Sequence, residues 1–399
     1  IPLSELTTPV IDADAHISEP PGTFVDHVPA RFRDRVPYVA RNEEGKDVWM
    51  LNGEHFHQIG SSAQGAGWKE PIPSAPAGFD EMNPAAYDPT ARLEYMDKVG
   101  LWAQVLYPNV AGFGAQKFLR LDDAELMLAC VRAYNDFLTE WCSPAPDRLL
   151  AVSAMPFWDV DATVSEVHRC AEMGHRAILF TGEPNRFGYP PIGSTHWDPL
   201  WTAASETEMS ISFHIGGGDP NPFVAAERVN AHGHGAAFTY EALAMFMKNG
   251  TQIADLLLSG VFVRFPKLKF VSVESGIGFL PFVLEAIDYT FKSGGVSNRM
   301  PELPSHYFRE HVYACTFYED LSRGDLIEQI GADNILFETD FPHGLCLYGQ
   351  QVIDQLDTYL VGVGEATRRK ITWENAAKLY KVPLPASFSA PRHFADAVA

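Results

Sequence analysis

The chain has 399 residues, 46% of them hydrophobic, so it can bury a large core. It has no run of about 20 uninterrupted apolar residues that would mark a membrane span. A formal net charge of -21 opposes contact with phosphate backbones and anionic lipid surfaces, which argues against nucleic acid and membrane as partners. The five cysteines lack framework spacing, and the N-terminus lacks the basic region and apolar core of a signal peptide, so free thiols in the cytoplasm are expected.

Val10-Ile11-Asp12-Ala13-Asp14-Ala15-His16 reads as an apolar strand ending in acidic side chains and an imidazole. Side chains two apart on a strand point the same way, so Asp14 and His16 leave together, either to cap the next loop or to ligate one metal. Residues 23–88 are long for a first connection. Within them 47–57 reads as a hairpin turned at Asn52-Gly53, and 60–84, dense in Gly, Ser, Ala and Pro, reads as a lid. His55 and His57 on that hairpin are expected to be exposed or to belong to the lid.

A helix–strand alternation then sets in, with helices expected at 90–99, 122–142, 160–173 and 198–206 and strands at 103–108, 149–155, 177–183 and 209–214. Glu183 ends the strand at 177–183, and His214 ends the one at 209–214. Residues 216–235, with Gly216-Gly217-Gly218 and Gly233-His234-Gly235, form a second lid candidate. A helix follows at 240–258 and a strand at 270–274 that closes on Glu274, after which Gly276 and Gly278 open another helix. Strands at 311–316 and 334–340, the latter closing on Asp340, and helices at 322–330 and 365–379 complete the pattern. Cys130, Cys142 and Cys170 fall in helical patterns as core residues, whereas Cys315 and Cys346 lie near strand ends, where a pocket would form.

Four strands that each deliver a metal-ligand type at their C-terminal ends fit a (β/α)8 TIM barrel, in which those ends gather on one face. The expected architecture is therefore α/β, a (β/α)8 TIM barrel with long loop insertions after the first and fifth strands. Residues 1–383 would form one domain with 23–88 as its insertion. Residues 384–399 would be a tail that packs on a neighbouring subunit.

At this point the chain resembles the amidohydrolase-related (amidohydrolase 2) metal-dependent TIM barrels. The likeness runs through Ile11-Asp12-Ala13-Asp14-Ala15-His16, Phe213-His214-Ile215-Gly216, Val273-Glu274-Ser275-Gly276-Ile277-Gly278-Phe279-Leu280-Pro281, Glu338-Thr339-Asp340-Phe341-Pro342-His343 and Glu374-Asn375-Ala376-Ala377-Lys378-Leu379-Tyr380. The resemblance implies a hydrolase or decarboxylase of small, often aromatic, acids, and a homodimer. Where many relatives carry His-x-His on the first strand and His on the sixth, this chain has Asp14-x-His16 and Glu274. In that respect it looks like the carboxylate-rich nonheme iron monooxygenase branch of terpenoid biosynthesis. Binuclear relatives draw a bridging carboxylate from the fourth strand, which makes Glu183 a candidate.

The expected ligands are Asp14, His16, Glu183, His214, Glu274 and Asp340. Two imidazoles with several carboxylates favour Fe(II), Mn or Mg over a His-rich zinc site, with one or two ions bound. Asp340 is either a ligand only or also the group that moves a proton, and His343 is placed to hydrogen-bond a ligand carboxylate. Apolar loop residues such as Phe113, Phe187, Phe223 and Phe317 suit a hydrophobic carboxylic acid, with Arg186, Arg228 or Arg264 to hold its carboxylate. The first reading is an iron monooxygenase, with O2 as co-substrate, that hydroxylates such an acid. The second is a Zn- or Mn-dependent hydrolase or decarboxylase of a small aromatic carboxylate.

Overall fold

The structure, a computed structural model, describes residues 9–58, 65–218, 224–295, 299–383 and 385. The C-terminal tail apart from residue 385, the lid residues 60–64 and 219–223, and Phe223 with them lie outside the described residues. In chain order the strands are β1 (Val10–His16), β2 (Tyr38–Arg41), β3 (Asp47–Leu51), β4 (Glu54–Gln58), β5 (Leu101–Tyr107), β6 (Leu149–Ser153), β7 (Ala177–Leu179), β8 (Ser210–His214), β9 (Phe270–Val273), β10 (Val312–Thr316) and β11 (Ile335–Phe337). β1 and β5 to β11 make one eight-stranded sheet in that order, with parallel neighbours. The ring closes where the His16 amide donates to the Phe341 carbonyl (2.6 Å) and the Asp340 amide to the Asp14 carbonyl (2.9 Å). Eight parallel strands with flanking helices form the expected (β/α)8 barrel.

The strands are apolar on both faces because both faces are covered. Ile11, Ala13, Val105, Val152, Leu179, Val271 and Leu336 fill the barrel interior. Ala376, Leu379 and Tyr380 of the last helix pack with them. The Trp102 indole, at the start of β5, donates to the Pro383 carbonyl, so this last segment plugs the N-terminal end of the barrel. Functional side chains are therefore left to the opposite mouth.

The helix Pro89–Val99 starts with Pro at its first position and Asp88 as N-cap, accepting from the Ala91 amide, and stops at Gly100 with φ 80°. Asp123 and Asp159 cap Ala124–Cys142 and Val160–Glu172 in the same way. Several expected boundaries shift. β7, β9 and β11 end at Leu179, Val273 and Phe337, so Glu183, Glu274 and Asp340 stand in the loops beyond them. Glu274 (φ 59°) and Asp340 (φ 60°) both take the left-handed conformation that non-glycine residues avoid, a strain that concentrates at functional sites. Among the described residues of the second lid candidate, Ala226–His232 is helical, and the helix that follows begins at His234 rather than 240 and runs to Leu258. The helix expected at 322–330 is confined to Leu326–Ile330, and the one at 365–379 carries a π turn at Lys370–Glu374.

The hairpin of β3 and β4 turns at Asn52-Gly53, and β2 adds a third antiparallel strand that the alternation did not signal. No helix among the described residues is long and apolar enough to cross a membrane.

Candidate active site

β1 delivers Asp14 and His16 to the C-terminal mouth and β8 delivers His214, while the first residue past β9 is Glu274 and the third past β11 is Asp340. Asp14 and His16 are fully buried, and His214, Glu274, Asp340 and His343 are at most 8% exposed. Two overlapping groups place their donor atoms within 4.8 Å of one another: Asp14, His16, His214 and Glu274, and His16, Glu274, Asp340 and His343. His16 Nε2 lies 3.4 Å from Asp14 Oδ1 and 3.5 Å from Asp340 Oδ1. His214 Nε2 lies 3.6 Å from Asp14 Oδ1 and 3.4 Å from Glu274 Oε2.

Backbone carbonyls assign the tautomers. His16 Nδ1 faces the Pro108 carbonyl at 3.2 Å and His214 Nδ1 the Ile215 carbonyl at 3.0 Å, so each Nδ1 carries the hydrogen. The two Nε2 lone pairs then meet 3.0 Å apart, an arrangement that is repulsive until a positive charge sits against both. Both oxygens of Asp14 and Oε2 of Glu274 have no hydrogen-bond partner among the described residues. Buried polar atoms are normally paired, so these orphans mark groups shaped for a ligand. Burial, then the neighbouring Asp340 and Asp14, pushes the Glu274 carboxyl well above its usual range, and burial, then Asp14, does the same for Asp340. Burial, then His343 and His214, holds His16 well below the ordinary imidazole range. Two imidazole Nε2 atoms and orphaned carboxylate oxygens that converge within one cluster fit a divalent cation.

Asp12, two residues before Asp14 and equally buried, makes the contrast. It accepts from the Thr339 amide (2.8 Å), the Thr339 hydroxyl (2.6 Å), Gln104 Nε2 (2.8 Å) and the Asp14 amide (3.2 Å), and so laces β1 to its neighbours. His343 stacks on His16 with ring centroids 3.9 Å apart and donates from Nε2 to Asn109 Oδ1 at 2.8 Å. Its Nδ1 is 2.7 Å from Asp340 Oδ1. Burial lowers the His343 pKa to about 4.

Glu183 is not brought to this cluster. It starts a short turn, 3.1 Å from Lys248 Nζ and 3.6 Å from Arg186. Arg228 pairs with Glu241 and lies over Tyr240, and Arg264 pairs with Asp198. His55 is exposed as expected, but His57 is partly buried, with its Nδ1 2.6 Å from Lys117 Nζ. Cys315 lies in the barrel interior rather than on a pocket.

Two residues of the site escaped the sequence reading. Arg92 is fully buried, donates to the His16 carbonyl (2.6 Å) and to Gln104 Oε1 (3.1 Å), and so fixes the backbone that carries His16. Its signal was a charge in the apolar stripe Arg92, Tyr95, Met96, Val99. Glu338 is also fully buried; its Oε2 accepts from the Glu274 amide at 3.1 Å, steadying that strained residue. Phe113, noted among the apolar loop residues, lays its ring 4.2 Å from His214 and 5.1 Å from His16 and roofs the cluster.

The family pattern described as amidohydrolase matches residues 11–382. Among curated proteins, the chain is similar to the gamma-resorcylate decarboxylase of Rhizobium sp. (strain MTP-10005), 28% identical over 302 residues, covering 73% of this chain and 86% of that protein. The gamma-resorcylate decarboxylase of Rhodococcus jostii (strain RHA1) is 26% identical over 317 residues, covering 76% and 91%. Among solved structures, an amidohydrolase from Mycobacterium avium subsp. paratuberculosis K-10 superposes with a TM-score of 0.74 at 24% identity, over 94% of this chain and all of that one. A dihydroxybenzoic acid decarboxylase from Polaromonas sp. JS666, with bound manganese and 2-nitroresorcinol, gives a TM-score of 0.59 at 22% identity, over 94% and 97%. With a barrel closed as expected and the family pattern running through nearly its whole length, the chain belongs to the amidohydrolase family.

Proposed function

We propose that this chain is a metal-dependent decarboxylase of aromatic carboxylic acids, with Asp14, His16, His214 and Glu274 holding a divalent ion and manganese as the first candidate. The observation that carries this reading is geometric: the buried Asp340 carboxyl stands at the edge of the cluster in which Asp14, His16, His214 and Glu274 turn their donor atoms toward one another. The gamma-resorcylate decarboxylases support it, and they back this second reading of the sequence better than the iron monooxygenase, for which the relatives offer no support. The carboxylate-rich donor set suits manganese as well as iron.

The bound ion would supply Lewis acidity toward the substrate oxygens. Asp340 delivers its proton to the ring carbon that bears the carboxylate. The carbon–carboxylate bond then breaks, its electron pair restores the aromatic ring, and CO2 leaves, so each turnover consumes one proton, which Asp340 must regain. His343, locked by Asn109, orients the Asp340 carboxyl. Phe113 keeps bulk water from the two imidazoles.

The test is to incubate manganese-loaded protein with 2,6-dihydroxybenzoate in D2O under nitrogen. The expected result is CO2 release with one deuterium at the carbon that lost the carboxylate. Absence of CO2, together with hydroxylation that requires iron, reductant and O2, would overturn the proposal.

A further inference from the structure

A cleft of about 860 Å3 opens at the barrel mouth between residues 65–74 of the first insertion and the helix His234–Leu258. Its walls are mostly apolar, with Trp68, Phe238, Leu243, Phe246, Tyr318 and Leu345 among them. Leu243, Leu345 and Tyr318 are 55%, 48% and 46% exposed, an apolar surface of the kind that marks a binding groove.

None of the cluster residues lines the cleft, but two of its lining residues tie it to the turns that carry them. Gly344, which lines it, directly follows His343. Tyr318 donates its hydroxyl to the Ser275 carbonyl at 3.4 Å, one residue beyond Glu274. The insertion wall is seated on the same turn, because the Gly65 and Ala66 amides donate to the Pro342 carbonyl at 2.9 and 3.0 Å. A Cβ added at Gly65 would stand 2.4 Å from the Gly344 Cα, so that approach requires glycine.

Clefts for drug-sized ligands span about 300–1,000 Å3. This one lies near the upper end, and because none of the cluster residues lines it, a single-ring acid with its carboxylate at the cluster would leave it unfilled. We infer, resting on the decarboxylase reading, that the substrate is an aromatic acid with a bulky apolar extension, a second ring or an alkyl chain, that lies between Trp68 and Phe246. The extension takes its affinity from apolar contact and directs the reacting ring toward Asp340.

Binding of product analogues tests this without requiring turnover. Manganese-loaded full-length protein is titrated calorimetrically with resorcinol and with 4-hexylresorcinol. The extended phenol is expected to bind at least tenfold more tightly. Leu243→Trp, which fills the cleft from an exposed position, and Phe246→Ala, which strips one wall, are each expected to bring that ratio within twofold of unity. Equal affinities in the wild type, no binding of either phenol, or a ratio unchanged in both variants would overturn the inference. CO2 release from 2,6-dihydroxybenzoate is scored separately, so loss of the decarboxylase reading and loss of the extended-substrate reading are distinguished.

Discussion

Two buried carboxylate regions of this barrel are built on opposite principles. Between the helices Ala124–Cys142 and Val160–Glu172, the fully buried Glu166 accepts from Arg169 Nε at 2.9 Å, Asn135 Nδ2 at 2.9 Å and Arg132 Nε at 3.3 Å. Burial alone would raise its pKa, but Arg169, Asn135 and Arg132 outweigh burial and hold it below the usual carboxylate range. At the mouth, Asp14 and Glu274 are buried nearly as deeply and find no such donors, and Glu274 is pushed up instead. Burial does not separate a structural carboxylate from one that awaits a ligand; the supply of donors does.

The contrast can be broken by substitution, and the largest effect falls on catalysis. Asp340→Asn keeps the size of the side chain and removes the proton donor, so kcat for CO2 release is expected to fall about 100- to 10,000-fold. A fall of less than tenfold would take the proton-transfer role away from Asp340. Next comes Glu166→Gln, which removes the charge partner of Arg132 and leaves Arg169 only Asp136, and should cost about 2 kcal/mol in denaturant unfolding, equally with and without manganese. Asp14→Asn has the opposite sign. It relieves an unpartnered buried group, so the metal-free protein should gain about 1 kcal/mol while losing its stabilisation by manganese. A destabilised metal-free variant that still responds to manganese would erase the distinction between the two regions.

The smallest effect is one of pH. The folded-state pKa of Glu274 lies well above its ordinary value, so its contribution to stability is complete below that ordinary value and is lost as pH rises through the folded pKa. Glu274→Gln has no such loss. The Tm advantage of this variant over wild type in chelator-treated protein should therefore widen from pH 5 to pH 8. A gap that is constant across that range would show that Glu274 ionises as freely in the folded protein as in the unfolded chain.

Much of this was legible in the chain. Strand-terminal Asp14, His16, His214, Glu274 and Asp340 stand out because an ionisable residue at the end of an apolar run has few structural uses. Glu183 matched the same pattern, but β7 stops at Leu179, and the four residues that follow carry the carboxylate away to Lys248. An apolar run does not say where the ladder of hydrogen bonds ends. Asp14 stood out through its pairing with His16, but the role of Asp12 was not legible, because β1 is buried on both faces and the partners that define it, Thr339 and Gln104, lie far off in the chain. His57 looked exposed for a similar reason: its partner, Lys117, arrives from the loop after β5.

The central claim is that the orphaned carboxylates and facing imidazoles at the mouth are a cation site. Titration of chelator-treated protein with Mn2+, followed by electron paramagnetic resonance, tests it directly. The account predicts saturable binding in the wild type, with affinity reduced at least about tenfold in both Asp14→Asn and His214→Ala. Unchanged Mn2+ affinity in those two variants would contradict it.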